Sequence, residues 1–303
     1  MNDYPSLTEE LFTIRDWLRF SVSRFEASDI FYGHGTDNSY DEAVWLVMSA
    51  LHLPMDTLEN FLDARITKLE CQHLASLIER RVTEHIPTAY LVNEAWLQGF
   101  KFFVDERVIV PRSFIAELLV SGLSPWIEYP EMVESAADIC TGSGCLGVLL
   151  ANSFSNATID VIDISQDAID VANINISNYG LEQQITAIKS DMFTALQGKT
   201  YDLIISNPPY VDAPSMAQLP AEYQREPLLA LGSGNDGLDH THTLLREAAQ
   251  HLNDDGFLIV EIGHNREALL QAYPNVQFVW LQVSSGDEFV FLLSKNQLLS
   301  INT

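Results

Sequence analysis

The sequence predicts a doubly wound α/β sheet preceded by a small helical domain. Three observations carry that expectation. Seven short apolar runs occupy the last two thirds of the chain, with helical stretches between most of them. A glycine-rich turn follows the first of these runs directly. The first third instead places its apolar residues at helical spacing.

Length and composition agree with this. The 303 residues suit about two domains, and 47% hydrophobic residues suffice for a sizeable core. Charged residues make up only 19%, which argues against wholesale disorder. No apolar run approaches the roughly 18 residues of a membrane span. Asp3, Glu9 and Glu10 do not fit a basic-then-apolar signal, so the expected compartment is the cytoplasm. Cys71, Cys140 and Cys145 are an odd number without paired spacing, which speaks against a disulfide framework. No Cys/His cluster supplies a zinc site; His240 and His242 lie close together without further ligands, and no metal is expected. The net charge of −26 repels bare nucleic acid, so direct DNA binding is not expected. It suits a basic protein partner, and equally a demand for solubility or a salty habitat.

In chain order, residues 1–95 read as a helical domain. Leu7, Leu11, Ile14 and Leu18 form one apolar stripe. Ser39-x-x-Glu42 reads as a capping box before the run Ala43–Met48. Leu58, Phe61, Leu62, Ile66 and Leu69 continue the helical pattern, and Pro87 closes it. Residues 96–110 read as a β-hairpin linker, with Phe100, Phe102 and Val104 on one side of Asp105-Glu106 and Val108 and Val110 on the other. From 111 to 303 the strands are expected at Ala136–Cys140, Ile159–Ile164, Ile185–Lys189, Leu203–Ser206, Phe257–Ile262, Val276–Val283 and Phe289–Leu293. The last two are joined by only Ser284–Glu288, which suits an antiparallel hairpin closing a seven-stranded sheet.

The segment from Asp138 through Cys140, Thr141, Gly142, Ser143 and Gly144 to Gly147 links the first strand to a helix. Gly142 and Gly144 let the backbone approach a ligand. Asp163 ends the next strand, where a carboxylate accepts from ribose hydroxyls. Gly142-x-Gly144-x-x-Gly147 is also the dinucleotide fingerprint, so a nicotinamide oxidoreductase stays open at this point. A second fit to the same pattern, Gly232–Gly237, follows no clear strand and reads as a loop. After the third strand, Asp191 is placed to accept from an adenine amine, with Met192 or Phe193 packing on the ring.

Asn207-Pro208-Pro209-Tyr210 follows the fourth strand. Two prolines stiffen the loop and leave its carbonyls free. The Asn207 side-chain oxygen and the Pro208 carbonyl can hold both hydrogens of a planar NH2 group, with Tyr210 packing on its face. Such a nitrogen is a poor nucleophile. Acceptors that strengthen as it becomes positive favour the transition state over the ground state. The loop therefore points to methyl transfer from S-adenosylmethionine to an amide or aromatic amine, and it leaves the oxidoreductase reading without an explanation for these four residues.

With these motifs the chain resembles the amino-methyltransferases of class I, Rossmann-like fold over about 111–303, and more narrowly the HemK-like protein glutamine methyltransferases. Phe31–Glu42, Val108–Ser113 and Glu226-Pro227 are similar to the branch that modifies large-subunit ribosomal protein number three. The resemblance implies a protein-(glutamine-N5) methyltransferase with S-adenosylmethionine as cofactor and that ribosomal protein as partner. It implies cofactor contacts at Cys140, Thr141, Gly142, Ser143, Gly144, Asp163, Asp191, Met192 and Asn207, and substrate contacts at Asn207, Pro208, Pro209 and Tyr210. Arg112 and Glu117 would lie near the cofactor. The chain departs from the family pattern in having Cys140 for a frequent glycine and Met192 for a frequent aromatic. Alternatives are a release factor as substrate, an adenine-amino DNA methyltransferase, and a non-catalytic ribosome assembly module.

Overall fold

The computed structural model describes Leu7 and residues 9–301. Packing divides it into two units. One comprises residues up to Ala95 together with Val104–Glu106 and Leu219–Arg225; the other comprises Trp96–Phe103, Arg107–Gln218 and Glu226 onward.

The first unit is helical. Helix α1 (Ile14–Glu26) is capped by a reciprocal Thr13/Asp16 box, so it starts after Leu11 and the stripe from Leu7 to Leu18 is not one helix. Ile14, Trp17, Leu18 and Phe25 bury its inner face against residues of α2 (Ser39–Ala50) and α4 (Lys68–Thr83). The short α3 (Leu58–Phe61) precedes α4, Ile66 lies outside both, and Leu69 is exposed. The helical part continues past Pro87 with α5 (Thr88–Val92).

The expected capping box at Ser39 is not formed. Asn38 caps α2, its side chain accepting from the Asp41 amide at 2.9 Å. Glu42 is buried, where it accepts from Arg81 Nε at 2.6 Å, Thr88 Oγ1 at 2.8 Å and the Thr36 hydroxyl. Arg81 also donates to Glu222 at 2.9 Å and to the Phe31 carbonyl at 3.0 Å. The Phe31 amide donates in turn to Glu222 at 2.8 Å. A buried guanidinium is tolerable only when its charge and its donors are matched, and that demand outranks an exposed cap.

The hairpin also differs from expectation. Its strands are β1 (Ala95–Leu97) and β2 (Phe100–Phe102), turning at Gln98-Gly99, not at Asp105-Glu106. Both turn residues have positive φ, 50° and 79°, the backbone that matches the twist of a tight hairpin.

In the second unit α6 (Ile115–Val120) leads to the sheet strands β3 (Ser135–Ile139), β4 (Thr158–Asp163), β5 (Ile185–Lys189), β6 (Tyr201–Ser206), β7 (Leu252–Glu261), β8 (Val279–Trp280) and β9 (Val290–Ser294). They lie in the order β5-β4-β3-β6-β7-β9-β8, parallel except that β9 is antiparallel to both its neighbours. Alternate residues feed opposite faces: Leu203 and Ile205 of β6 enter one core and Ile204 the other. Helices α7 (Cys145–Ser153), α8 (Gln166–Asn178), α10 (Asp239–Glu247), α11 (Arg266–Ala272) and α12 (Lys295–Ile301) supply buried residues to these cores; the short α9 (Ala213–Met216) does not. The order reverses at β3, whose neighbours β4 and β6 lead away in opposite directions. The crevice beyond the carboxyl ends of β3, β4 and β6 is where such a sheet binds a ligand.

Candidate active site

The β3–α7 turn shows what each glycine does. Cys140, Gly142 and Gly144 all have positive φ, 63°, 55° and 78°. A Cβ on Gly144 would lie 3.0 Å from the Ala172 Cβ, and one on Gly147 would lie 2.3 Å from Val161 Cγ1. These two glycines therefore serve the packing of α7 against α8 and β4. Only at Gly142 is the space beside the backbone open.

Asp163 closes β4 beside this turn. Its Oδ2 accepts from the Gly142 amide at 3.0 Å and its Oδ1 from the Ser165 amide at 2.9 Å. Burial raises its pKa, and the amide hydrogen bonds act against that rise. Each oxygen has capacity for a further donor. Beneath the turn, Asp138 is fully buried and its pKa is raised to about 7 by that burial. Its Oδ2 accepts from the Thr141 hydroxyl at 2.5 Å.

The Ser206 hydroxyl donates to the Ile139 carbonyl at 2.7 Å, which ties the end of β6 to β3. Asn207 follows, and its Oδ1 is buried with no hydrogen-bond partner. An acceptor in that state costs about 1–3 kcal/mol unless a ligand supplies the donor. The Tyr210 carbonyl accepts from Asn265 Nδ2 at 2.7 Å. The Tyr210 ring lies on Gly263, where a Cβ would come within 2.6 Å, and its hydroxyl is 3.4 Å from Glu261 Oε1. Glu261 is fully buried, accepts from the Ser113 hydroxyl at 2.7 Å and the Phe114 amide at 2.9 Å, and is pushed up to about 7 by burial.

A cleft of about 790 Å³, partly open to solvent, joins Gly142, Asp163 and Asn207. Of the residues expected at the site, Cys140, Gly142, Asp163, Asp191, Met192, Asn207 and Pro209 line it. Thr141 and Ser143 line an adjoining recess of about 340 Å³ that shares Cys140, Gly142 and Asn207 with the cleft. Gly144, Pro208 and Tyr210 line neither. Phe193 faces away, buried and stacked on the His251 ring at 4.8 Å, so Met192 is the side chain that covers this end. Arg112 lines the recess and grips Glu226 with two bonds of 2.6 and 2.7 Å. Glu117 lines neither space; it accepts from the Ser284 amide and hydroxyl at 2.8 and 2.6 Å.

The sequence reading missed Arg107, Ser165, Leu229, Ala230 and His240 as cleft residues. Glu226-Pro227 was the signal for the segment holding Leu229 and Ala230. The Glu226 carboxylate accepts from the Val110 amide at 2.9 Å, tying that segment to Val108–Ser113. The Nδ1 atoms of His240 and His242 pair with Ser233 and Tyr273, each at 2.8 Å, and no group of three or more His, Cys, Asp or Glu side chains placed to hold a metal ion occurs among the described residues.

The chain is similar to known proteins. The methyltransferase small domain family matches residues 116–221. The ribosomal protein uL3 glutamine methyltransferase of Neisseria gonorrhoeae is 58% identical over 296 residues, covering 98% of this chain and 99% of its own length. The protein of the same name from Burkholderia pseudomallei is 50% identical, covering 95% and 96%. Among solved structures, the hMettl16 catalytic domain in complex with a MAT2A 3'UTR hairpin superposes with a TM-score of 0.51 at 13% identity, covering 75% of this chain and 81% of that one. That likeness speaks for the class I methyltransferase fold alone. The open backbone at Gly142, the capacity left on Asp163 and the unpartnered oxygen of Asn207 fit S-adenosylmethionine and an amide lying together in the cleft. On sequence identity over nearly its whole length, the chain belongs to the ribosomal protein uL3 glutamine methyltransferases.

Proposed function

We propose that this protein methylates the side-chain amide nitrogen of a glutamine in ribosomal protein uL3. The observation that carries the chemistry is the buried, unpartnered Oδ1 of Asn207 beside the open turn at Gly142. The substrate assignment rests on the names of relatives 50–58% identical over nearly the full chain.

Bound S-adenosylmethionine supplies an electrophilic methyl group. The chain's own residues do the rest. Asp163 accepts from the ribose hydroxyls with the capacity its two amide bonds leave free. Asp191 and Met192 hold the adenine end of the cleft. Asn207 Oδ1 and the Pro208 carbonyl accept the two amide hydrogens and so aim the nitrogen lone pair at the methyl carbon. As the nitrogen becomes positive, its hydrogens become better donors and both bonds shorten, so the loop binds the transition state more tightly than the ground state. The proton becomes acidic only after transfer and leaves to water, so no strong base is required. Tyr210, half-buried on Gly263, keeps a ring face for the amide plane and holds the loop through Glu261. The acidic chain, at −26, favours encounter with a basic ribosomal protein. A ribosomal substrate also sets the reaction in the cytoplasm.

The test is transfer of labelled methyl to purified uL3, with release factor and adenine-containing DNA alongside. Label on a glutamine of uL3 alone is the expected result. Label on the release factor instead moves the substrate and keeps the chemistry, and label on DNA overturns the protein substrate.

A further inference from the structure

His240 stands in the first turn of α10 and lines the cleft beside Asp191 and Met192. Its surroundings fix which ring nitrogen carries the proton. Ser233 is buried, and its oxygen lies 2.8 Å from His240 Nδ1 while accepting from the His240 backbone amide at 3.3 Å. A buried hydroxyl proton needs an acceptor, and Nδ1 is the one in reach, so Ser233 donates and Nδ1 accepts. The proton of the neutral ring then sits on Nε2. Nε2 makes no hydrogen bond among the described residues and is not enclosed, so it opens as a donor on the cleft that the ring lines. Burial keeps the ring neutral by lowering its pKa, with Asp239 and Asp191 acting the other way.

The ring is held by the second glycine loop. The Ser233 amide donates to the Val211 carbonyl at 2.9 Å and the Ala213 amide to the Gly234 carbonyl at 3.0 Å. At Gly237, with φ of 79°, a Cβ would come within 2.4 Å of the Tyr210 carbonyl. The segment Gly232–Gly237 is thus strapped to the residues that follow Asn207, and it delivers Ser233 to His240.

One end of the cleft therefore presents an acceptor, the Asp191 carboxylate, and a donor, His240 Nε2–H. A 6-aminopurine offers the complement on one edge: an exocyclic amine flanked by ring nitrogens that accept. A 6-oxopurine offers an oxygen there, and its N1 becomes a donor. We propose that His240 reads the nucleobase of the cofactor, donating from Nε2 to an adenine ring nitrogen next to the amine that Asp191 accepts. This rests on the reading of the Asp191–Met192 end as the adenine site.

The test is calorimetric binding of S-adenosylhomocysteine, its 6-oxo analogue and its 1-deaza and 7-deaza analogues to the full chain and to His240→Phe and His240→Gln. His240→Phe is expected to weaken binding of the parent ligand about tenfold, the size of one hydrogen bond. It should lose nothing further on whichever deaza analogue lacks the accepting nitrogen. His240→Gln, which keeps a donor near the Nε2 position, should recover most of the affinity; where the 1-deaza analogue is the one spared, selectivity against the 6-oxo ligand should also fall in His240→Phe, because N1 of that ligand carries a hydrogen. Unchanged affinity in His240→Phe, or the same loss on all four ligands, overturns the role of His240 alone. An unsubstituted chain that binds none of the ligands overturns the cofactor reading and this proposal with it.

Discussion

At the scale of single residues, the site sets an acceptor without a donor, Asn207 Oδ1, near the buried carboxyls of Asp138 and Glu261. Asn207→Ala removes a buried, unpartnered acceptor that the cleft holds for an amide. Turnover is expected to fall by about 10²–10³, as when one oriented hydrogen bond to a transition state is lost. Affinity for S-adenosylhomocysteine should stay within a few-fold, and single-turnover kinetics with calorimetry separate the two effects. Asp138 carries a pH dependence. Its carboxyl titrates at about 7 in the folded chain against 3.8 for the free side chain. Between those values the folded state binds the proton and the unfolded state does not. The stabilisation is therefore complete below about pH 4, is lost as the pH rises towards 7, and changes no further above that. Asp138→Asn removes this dependence, so its melting temperature relative to the parent should climb from pH 4 to pH 8. A constant offset across that range would show that Asp138 does not titrate this way.

At the scale of elements, the helix starts separate local pattern from actual partner. Thr13, Asn38 and Thr67 each accept an amide of the first turn. Replacing any of them by Ala should cost about 1 kcal/mol in chemical denaturation. Ser39→Ala should cost much less, although Ser39-x-x-Glu42 fits the capping-box pattern as well as Thr67-x-x-Glu70 does. Glu42 is not free to close that box because Arg81, Thr36 and Thr88 hold it inside. The hairpin teaches the same lesson in reverse. Gln98-Gly99 takes the positive φ pair that a tight turn needs, while Asp105-Glu106, the more polar break, joins no strands. Strands β3, β4, β6 and β9 were readable because each alternates between two buried faces over five or six residues, whereas β8 keeps only Val279–Trp280 of the expected Val276–Val283; its pairing with β9 is antiparallel, as the short connection required.

At the scale of the whole molecule, chain-distant segments complete structures that neighbouring residues cannot. Arg81 in α4 binds Glu222, 141 residues away, and so gathers Leu219–Arg225 into the helical unit. Arg81→Met leaves two buried carboxylates without their guanidinium, and loss of such a partner costs about 3–5 kcal/mol. Hydrogen exchange should speed up in 31–42 and 219–225 while β3–β7 keep their protection. Equal acceleration throughout would mean that the network stabilises the entire chain and not this unit. The chain alone made legible what lives in short stretches: the strand–helix alternation, the glycine turn at Gly142, Asp163 at a strand end, and the Asn207–Tyr210 loop after a strand. Those signals survive without a structure because period, turn geometry and proline stiffness act between near neighbours in the chain. Long-range packing is what turns Phe193 into the core, rests Tyr210 on Gly263, sets Glu42 against Arg81 and opens His240 on the cleft. Each of those outcomes is a competition for burial and for hydrogen-bond partners among residues far apart in the chain, and no local pattern records which of them wins.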